Sequence, residues 1–352
     1  MKRLPFPRPR TAGALTTALV ALLCSPISAA AEPAPRQCQE VDVPVTINVA
    51  MPVHAHGTLC TPAGAQPSTV QVLLHGATYN STYWDFPVQP ERYSYVRAAN
   101  ERGYATFNVD RIGYGGSTKV PSATLTALAQ ADVAHQIVTK LRNGHIGPTA
   151  FRKVVLVGHS VGSGIAAIAA SRYRDVDGLV LTGMTHHFSP TQVAQALLRD
   201  LHPVTLDETF RSKADPGYLT TKPGGRERLF YAPGDADPAV IAAEEKTKDI
   251  ASVTEIADAY AIGFTTPITR AVDVPVLVAV GSHDAIFCQG LLSSPCHDSA
   301  TLRAGERLYF SPDTPLEATV IHGSGHDIAL SESHSRRAHA TLLDWADRSV
   351  GT

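Results

Sequence analysis

Short apolar runs alternate with longer amphipathic stretches along most of the chain. The apolar runs predict strands that are buried on both faces of a sheet, at residues 69–74, 104–109, 154–157, 178–184, 274–280 and 317–321. Helical patterns follow most of them, at residues 91–102, 122–141, 298–307 and 331–348. This alternation predicts the α/β fold class, in which helices flank a mostly parallel central sheet.

Two short segments near the beginning have a different pattern. Apolar and polar residues alternate over residues 41–49, which is typical of a half-buried strand. Residues 53–59 form a second short candidate strand. Together they predict an antiparallel pair at the edge of the sheet.

The alternation of strands and helices stops after Thr185 and resumes only at residue 274. Helical patterns occur in this interval at residues 191–201 and 238–261. An unstructured loop of that length is uncommon in a compact domain. We therefore predict an inserted helical cap at residues 186–269, and a core formed by the flanking ranges 32–185 and 270–352.

The pentapeptide Gly-His-Ser-Val-Gly at residues 158–162 stands between a buried strand and a segment rich in Ala and Ile, which predicts a packed helix. A nucleophile on so tight a turn holds strained backbone angles, and the flanking glycines leave room for it. The turn lifts the Ser160 hydroxyl above the sheet and directs the Val161 N–H toward a developing oxyanion. A structural Gly/Ser turn is the alternative, but the strand-to-helix context favours a serine nucleophile.

Two later segments supply candidate partners for Ser160. Asp284 follows the predicted strand at 274–280 within Gly-Ser-His-Asp, and His326 follows that at 317–321 within Gly-Ser-Gly-His-Asp. The turn at residues 158–162 has the Gly-x-Ser-x-Gly pattern of a nucleophile elbow, and the candidate residues occur in the chain order Ser, Asp, His. In these features the sequence resembles the α/β-hydrolase family, over nearly the whole chain after the first 31 residues, apart from the cap.

In an open α/β sheet the carboxyl ends of the strands converge on one crevice, so the side chains of Ser160, Asp284 and His326 can meet. We expect His326 to take the proton of Ser160 and Asp284 to fix the tautomer of the histidine. Each residue also has a purely structural alternative. His326 could cap a helix, and Asp284 could be an N-cap or form an ion pair.

The resemblance extends to the turn after the strand at 69–74. His75-Gly76-Ala77 is similar to the His-Gly-x turn of the family, and the similarity implies that the Ala77 N–H completes an oxyanion hole with Val161. Thr78 is a weaker candidate for the same role. The resemblance gives His75 a structural role, and it gives Asp110 a role in shaping a loop.

Four further residues are candidates for the substrate pocket. The loop at 79–86 contains four aromatic residues, among them Tyr79 and Trp84, which either line an apolar pocket or pack beneath the cap. His159 lies within the elbow motif. His187 follows a strand end, where a polar loop position at the start of the cap is the simpler interpretation.

The first 31 residues have the layout of a secretory signal peptide: basic residues, a short apolar run at 14–23 and small residues before residue 32. The run is too short for a permanent membrane anchor. We predict cleavage near Ala30 or Ala31 and a secreted protein. Four cysteines then remain, which implies disulfides with three possible connectivities. We favour the pairs that are close in sequence, Cys38 with Cys60 and Cys288 with Cys296.

Composition and spacing argue against several classes of partner. The formal net charge of −2 gives no indication of a nucleic-acid partner. His54 and His56 have the spacing of a metal pair, but no further ligand with suitable spacing accompanies them. We predict neither a metal nor a cofactor, and the sequence does not indicate an oligomeric state.

Three functions remain open. The first is an exported hydrolase that cleaves a small or medium-sized carboxylic ester through an acyl-enzyme. The second is an amidase or peptidase of the same fold, for which Glu244 and Glu245 are candidate amine-binding residues, although their pattern is that of an exposed helix face. The third is a non-catalytic binding protein, which the presence of Ser160, Asp284 and His326 disfavours. Dehalogenases and epoxide hydrolases need a carboxylate where this chain has Ser160.

Overall fold

A computed structural model of the protein describes residues 1–7, 36–48, 50–213, 215–290, 292–293 and 295–352. The chain divides into two units, Met1–Pro33 and Ala34–Thr352. Residues 1–7 of the first unit contain neither helix nor strand. Most of the predicted signal peptide, including the cleavage site near Ala30 or Ala31, lies outside the described residues.

The described strands of the second unit form two sheets. In chain order they are β1 (Arg36–Ile47), β2 (Met51–Pro62), β3 (Thr69–Leu74), β4 (Ala105–Val109), β5 (Lys153–His159), β6 (Gly178–Thr182), β7 (Leu201–Pro203), β8 (Tyr218–Thr221), β9 (Ala251–Ser252), β10 (Val276–Gly281) and β11 (Leu316–Ile321). The larger sheet has the order β1-β2-β4-β3-β5-β6-β10-β11, and the smaller sheet has the order β7-β8-β9.

The larger sheet is mostly parallel, as predicted. Strand β2 runs antiparallel to β1 and to β4, and every other neighbouring pair is parallel. Strands β3, β4, β6 and β10 are buried at every position, because helices cover both faces of the sheet. Strand β1 alternates in its second half, where Val43, Val45 and Ile47 are buried, and the predicted antiparallel pair does form the sheet edge.

The described α-helices fill the intervals between these strands. They are α1 (Pro90–Tyr93), α2 (Tyr95–Glu101), α3 (Ala127–Arg142), α4 (Val161–Tyr173), α5 (Pro190–Asp200), α6 (Gly225–Phe230), α7 (Pro238–Thr247), α8 (Val253–Asp258), α9 (Ser299–Glu306) and α10 (Ser335–Ser349). A π-helix, Ala259–Phe264, continues α8. Among the described residues, no helix is both long enough and apolar enough to cross a membrane.

One predicted helix, at residues 91–102, is two helices in the structure. Ser94 between them has extended backbone angles (φ −88°, ψ 108°), and its hydroxyl accepts a hydrogen bond from the Arg97 N–H as the N-cap of α2. The same hydroxyl is hydrogen-bonded to Asp85. Serine favours such caps over helix interiors because its side chain competes for backbone groups, and this ends α1 early.

The segment between β6 and β10 is not purely helical, contrary to the prediction. It contains helices α5 to α8 and also the antiparallel strands β7, β8 and β9. The helix predicted at 238–261 ends at Thr247, and an extended stretch follows before Ser252 caps α8. Lys248 in this stretch bonds Asp207 and the Thr221 carbonyl, so contacts with distant residues replace helical ones. Strands of two to four residues are too short to show a detectable alternation.

Both favoured disulfides are present. Cys38 and Cys60 are directly opposite each other on β1 and β2, and their sulfur atoms are bonded. Cys288 and Cys296 are bonded across the loop that follows β10. The second bridge therefore closes the chain immediately after Asp284.

Candidate functional site

Ser160 occupies the sharp turn between β5 and α4. Its backbone angles are φ 53° and ψ −120°, a strained conformation for a residue with a side chain. A Cβ atom on Gly162 would lie 2.3 Å from the Leu74 carbonyl oxygen, and one on Gly158 would lie 2.5 Å from the Ser163 Cα. Only glycine fits at either position, which explains the spacing of the motif. The turn is further held by the Ser160 N–H, which donates to the Thr182 carbonyl at 2.9 Å.

Asp284 and His326 meet because their strands are neighbours. Strands β10 and β11 are parallel and in register up to Gly281 and Ile321, so the loops that follow leave the same edge of the sheet. The His326 Nδ1 atom lies 2.8 Å from the Asp284 Oδ2 atom, and both side chains are buried. The other oxygen, Oδ1, accepts the N–H groups of Ile286 at 2.8 Å and Phe287 at 3.0 Å. The carboxylate is therefore fixed on both sides.

The contact between Asp284 and His326 shifts the pKa values of both side chains. Burial alone would raise the pKa of Asp284, but the charge of His326 and the hydrogen bonds from His326, Phe287 and Ile286 lower it below its usual value. Burial alone would lower the pKa of His326, but the charge of Asp284, its hydrogen bond and the charge of Asp327 raise it above the ordinary 6.5. The aspartate is thus ionised and the histidine is a stronger base than a free imidazole.

Ser160 and His326 face one cavity of ≈ 430 Å³, a volume that includes its open mouth. The Nε2 atom of His326 is buried and has no hydrogen-bond partner among the described residues. Ala77 and Val161 line the same cavity. Val161 is the first residue of α4, where N–H groups have no partner within the helix. A Cβ atom on Gly76 would lie 3.2 Å from the Ser160 Cβ, so the turn containing Ala77 approaches the elbow closely.

Two of the four pocket candidates line this cavity and two do not. Tyr79 and His159 are lining residues. Trp84 is fully buried against Tyr83 and does not line the cavity, because a large apolar ring gains most from complete burial. His187 lies outside the cavity with its ring 5.1 Å from that of Tyr309.

Most of the cavity wall is formed by residues outside the predicted pocket candidates. The segment between β6 and β10 contributes apolar side chains from α5, β7, α6, α8 and the π-helix, and the loop after Asp284 contributes one more: Leu197, Leu201, Leu229, Phe230, Ile256, Tyr260 and Ile286. Apolar positions on the predicted cap helices were the available signal. Periodicity marks such positions as buried but does not distinguish a cavity wall from a packed core.

Glu244 also differs from expectation. The sequence pattern predicts an exposed helix face at this position, yet Glu244 is 1% exposed. Its Oε1 atom lies 2.5 Å from the Tyr79 hydroxyl, and its Oε2 atom lies 3.6 Å from the Arg226 guanidinium. A buried arginine and a tyrosine hydroxyl make this burial possible, and neither partner is close to Glu244 in sequence.

One group of residues has atoms close enough to be considered for a metal ion. Ligand atoms of His159, His326 and Asp327 lie within 4.8 Å of one another. However, the His159 Nε2 atom is 2.8 Å from the Asp327 Oδ1 atom, a hydrogen-bond distance. Two ligands of a tetrahedral zinc ion would be about 3.3 Å apart, given bonds of about 2.0–2.1 Å. We therefore treat the group as a hydrogen-bonded cluster.

The fold agrees with comparisons to known proteins. The fold is similar to that of an esterase from Thermogutta terrifontis (20% identity, TM-score 0.61, covering 89% of this chain and 100% of that one). It is also similar to the esterase EaEST from Exiguobacterium antarcticum (17% identity, TM-score 0.58, 87% and 99%). The carboxylesterase CesB from Bacillus subtilis is a third example (18% identity, TM-score 0.54, 87% and 92%).

Sequence comparison identifies the family. No curated protein sequence was found to match the chain. The sequence profile of the alpha/beta hydrolase family matches residues 71–340, which is most of the chain. The match includes the elbow, the loop after β10 that contains Asp284 (the acid loop) and the loop after β11 that contains His326 (the histidine loop). The chain therefore belongs to the alpha/beta hydrolase family.

Proposed function

We propose that the protein is an exported serine hydrolase that cleaves a small or medium-sized carboxylic ester through an acyl-enzyme. One observation carries the proposal. His326 is hydrogen-bonded to Asp284 through Nδ1 and keeps its buried Nε2 unpaired, in a cavity that Ser160 also lines. This is the arrangement in which a histidine can accept the proton of a serine hydroxyl.

In the proposed reaction, the Nε2 atom of His326 accepts the proton of the Ser160 hydroxyl while Oγ attacks the ester carbonyl carbon. The N–H groups of Ala77 and Val161 stabilise the oxyanion of the tetrahedral intermediate. Collapse of the intermediate expels the alcohol, which receives the proton from His326 and leaves the acyl group on Ser160. Water then attacks the acyl carbon while His326 accepts a proton from it. The second tetrahedral intermediate collapses as His326 returns this proton to the Ser160 Oγ atom, and the carboxylic acid is released.

The character of the cavity supports an ester with an apolar acyl group. Its cap-derived wall is aliphatic and aromatic, and no carboxylate is among the residues that line it in the described chain. A peptidase that holds a substrate amine needs such a carboxylate, and Glu244 is engaged with Tyr79 instead. The similar structures are described as esterases, which points the same way.

A panel of chromogenic esters of increasing acyl length, together with matched amides, tests the proposal. We expect the wild type to hydrolyse the esters, with a preference for the shorter acyl groups, and Ser160→Ala to lose turnover by ~10³-fold or more. Ser171→Ala is a matched control, because Ser171 is a buried serine of α4 remote from the elbow. Preferential cleavage of amides would favour the peptidase alternative, and no turnover by the wild type would favour a binding protein.

Export is a separate part of the proposal, and the two disulfides support it. Such bonds persist in oxidising compartments and are rare in the cytosol. Expression of the full chain in a secreting bacterial host, followed by N-terminal sequencing of the product in the medium, tests it. We expect an N-terminus near Ala31 or Glu32, and retention of the intact chain inside the cells would contradict export.

A further inference from the structure

A buried cluster of ionisable side chains adjoins the cavity, and one of its members, Tyr79, also lines the cavity. Glu244 on α7, Arg226 on α6 and Asp327 in the loop after β11 are at most 1% exposed. Tyr79, from the loop after β3, lies among them, with the Arg226 guanidinium 4.0 Å from the centre of its ring. Helices α6 and α7 belong to the cap, and Asp327 follows His326. The cluster therefore joins the cap to the histidine loop, and the proposed reaction does not use it.

A single hydroxyl group links the two carboxyl groups. The Tyr79 hydroxyl lies 2.5 Å from the Glu244 Oε1 atom and is also hydrogen-bonded to the Asp327 Oδ2 atom. A phenol has one hydrogen to donate, so it can donate to only one carboxylate. The second carboxyl group must then carry a proton and donate to the phenol oxygen. The geometry thus requires one proton on the pair.

Asp327 is the better placed of the two to hold the negative charge. Its Oδ1 atom lies 2.8 Å from the His159 Nε2 atom, so two donors, His159 and Tyr79, serve it. The Glu244 Oε2 atom lies 3.6 Å from the Arg226 Nε atom but has no hydrogen-bond partner among the described residues. Two charged carboxylates beside the one guanidinium of Arg226 would leave a buried charge uncompensated, which is strongly unfavourable. One protonated carboxyl group makes the cluster neutral.

We propose that Glu244 is held as a carboxylic acid that donates to Tyr79, that Tyr79 donates to Asp327, and that the Asp327 carboxylate is a positioning residue for His326. The last part rests on the proposed function of His326. Asp327 acts on His326 by its charge, and through its hydrogen bond it fixes His159, whose ring lies 4.8 Å from that of His326.

Other ionisable groups affect the pKa values of Glu244 and Asp327, and the pKa of Glu244 is the higher of the two. They come from α6, the segment after it, the loops after β3, β10 and β11, and the end of β5: Arg226, Tyr231, Tyr79, Tyr83, Asp284, His326 and His159. Burial raises the pKa of Glu244 to about 7, against the opposing charge of Arg226. Burial raises the pKa of Asp327 to about 6, against the opposing charge of His326.

The pH dependence of thermal unfolding tests the shared proton without any substrate. A carboxyl group whose pKa is higher in the folded state stabilises the fold at low pH, and this contribution is lost as the pH rises through the folded-state pKa. We expect the Tm of the wild type to fall between pH 5 and pH 8, with Glu244→Gln showing a smaller fall. The amide does not titrate and can still donate to Tyr79.

Glu245→Gln is the matched control, because Glu245 is the neighbouring, partly exposed residue of the same helix. We expect it to keep the wild-type pH dependence. An identical fall in Tm for the wild type and Glu244→Gln would overturn the shared proton. If Glu244→Gln does not fold, the variant Tyr79→Phe tests the shared proton instead. It keeps the ring but removes the bridging hydroxyl, so the fall in Tm should steepen, and a wild-type curve would overturn the proposal.

The pH profile of kcat/KM tests the positioning role, which a merely structural residue would not affect. Asp327→Asn keeps an oxygen that can accept from His159 but removes the negative charge near His326. We expect the acid limb of the profile to shift to lower pH by ~0.5–1 unit, because less negative charge favours the neutral imidazole. An unshifted acid limb would overturn the positioning role. The Tm experiment stands independently, so absence of ester turnover would refute the proposed function without deciding the shared proton.

Discussion

Asp284→Asn tests the proposed triad most directly, because the surroundings of Asp284 fix how the new amide must lie. Oδ1 accepts two backbone N–H groups, from Ile286 and Phe287, while Oδ2 faces the Nδ1 atom of His326. An asparagine must keep its oxygen toward the two N–H donors. Its NH₂ group therefore faces Nδ1 and donates to it, which leaves the imidazole hydrogen on Nε2. In that tautomer His326 cannot accept the proton of Ser160.

The size of the effect follows from the cost of the alternative orientation. Turning the amide over would restore the productive tautomer but would leave two backbone N–H groups facing an NH₂ group. Each unsatisfied buried donor costs about 1–3 kcal/mol, so the productive form lies ~2–6 kcal/mol above the unproductive one. This corresponds to a fall in kcat of ~30-fold to ~10⁴-fold. Substrate binding does not involve Asp284, so we expect KM to change little.

The assay is the initial rate of hydrolysis of the best chromogenic ester at several concentrations, with folding checked by circular dichroism. Asp273→Asn is the matched control, because Asp273 is an exposed aspartate that pairs with Arg174 and is expected to leave kcat unchanged. A folded Asp284→Asn protein with kcat within threefold of the wild type would refute the reasoning. The histidine would then take its tautomer from another group.

Three further predictions follow from the elbow, the histidine and the acid loop. Gly162→Ala should destabilise the fold by ~3 kcal/mol or more in urea titrations, because its Cβ would lie 2.3 Å from the Leu74 carbonyl oxygen, and a loss below ~1 kcal/mol would contradict this packing. The raised pKa of His326 predicts that kcat/KM falls as the pH drops through an apparent pKa above 6.5, since protonated His326 cannot accept a proton; an acid limb below 6.5 would count against it. Replacing Cys288 and Cys296 together by serine should lower the free energy of unfolding by ~2–3 kcal/mol, because the bridge restricts the unfolded chain, and an unchanged urea midpoint would argue against that contribution.

Much of this protein was predictable because the relevant physics is local. A parallel strand covered on both faces is mostly apolar, so β3, β5 and β10 are recognisable from composition. The glycines beside Ser160 are required by contacts within the turn and with the adjacent strand, so the motif identifies the elbow. Proximity in sequence was also enough to choose the pairing of the four cysteines.

Other features depended on residues that are distant in sequence. Glu244 resembles an exposed helix residue, and only the tertiary structure surrounds it with Tyr79 and Arg226. Trp84 and His187 were reasonable pocket candidates, but the direction in which each ring packs is set by neighbours that the sequence does not identify.

The sequence by itself determined the α/β architecture, the position of the elbow and the chain order of the candidate serine, aspartate and histidine, and it favoured one pairing of the cysteines. Only the tertiary structure decided which cap side chains form the cavity wall and which carboxyl groups are buried together next to it. The physical reason is that periodicity and turn sterics are properties of neighbouring residues. The burial of a charge instead depends on whether the fold brings a counter-charge or a donor to it.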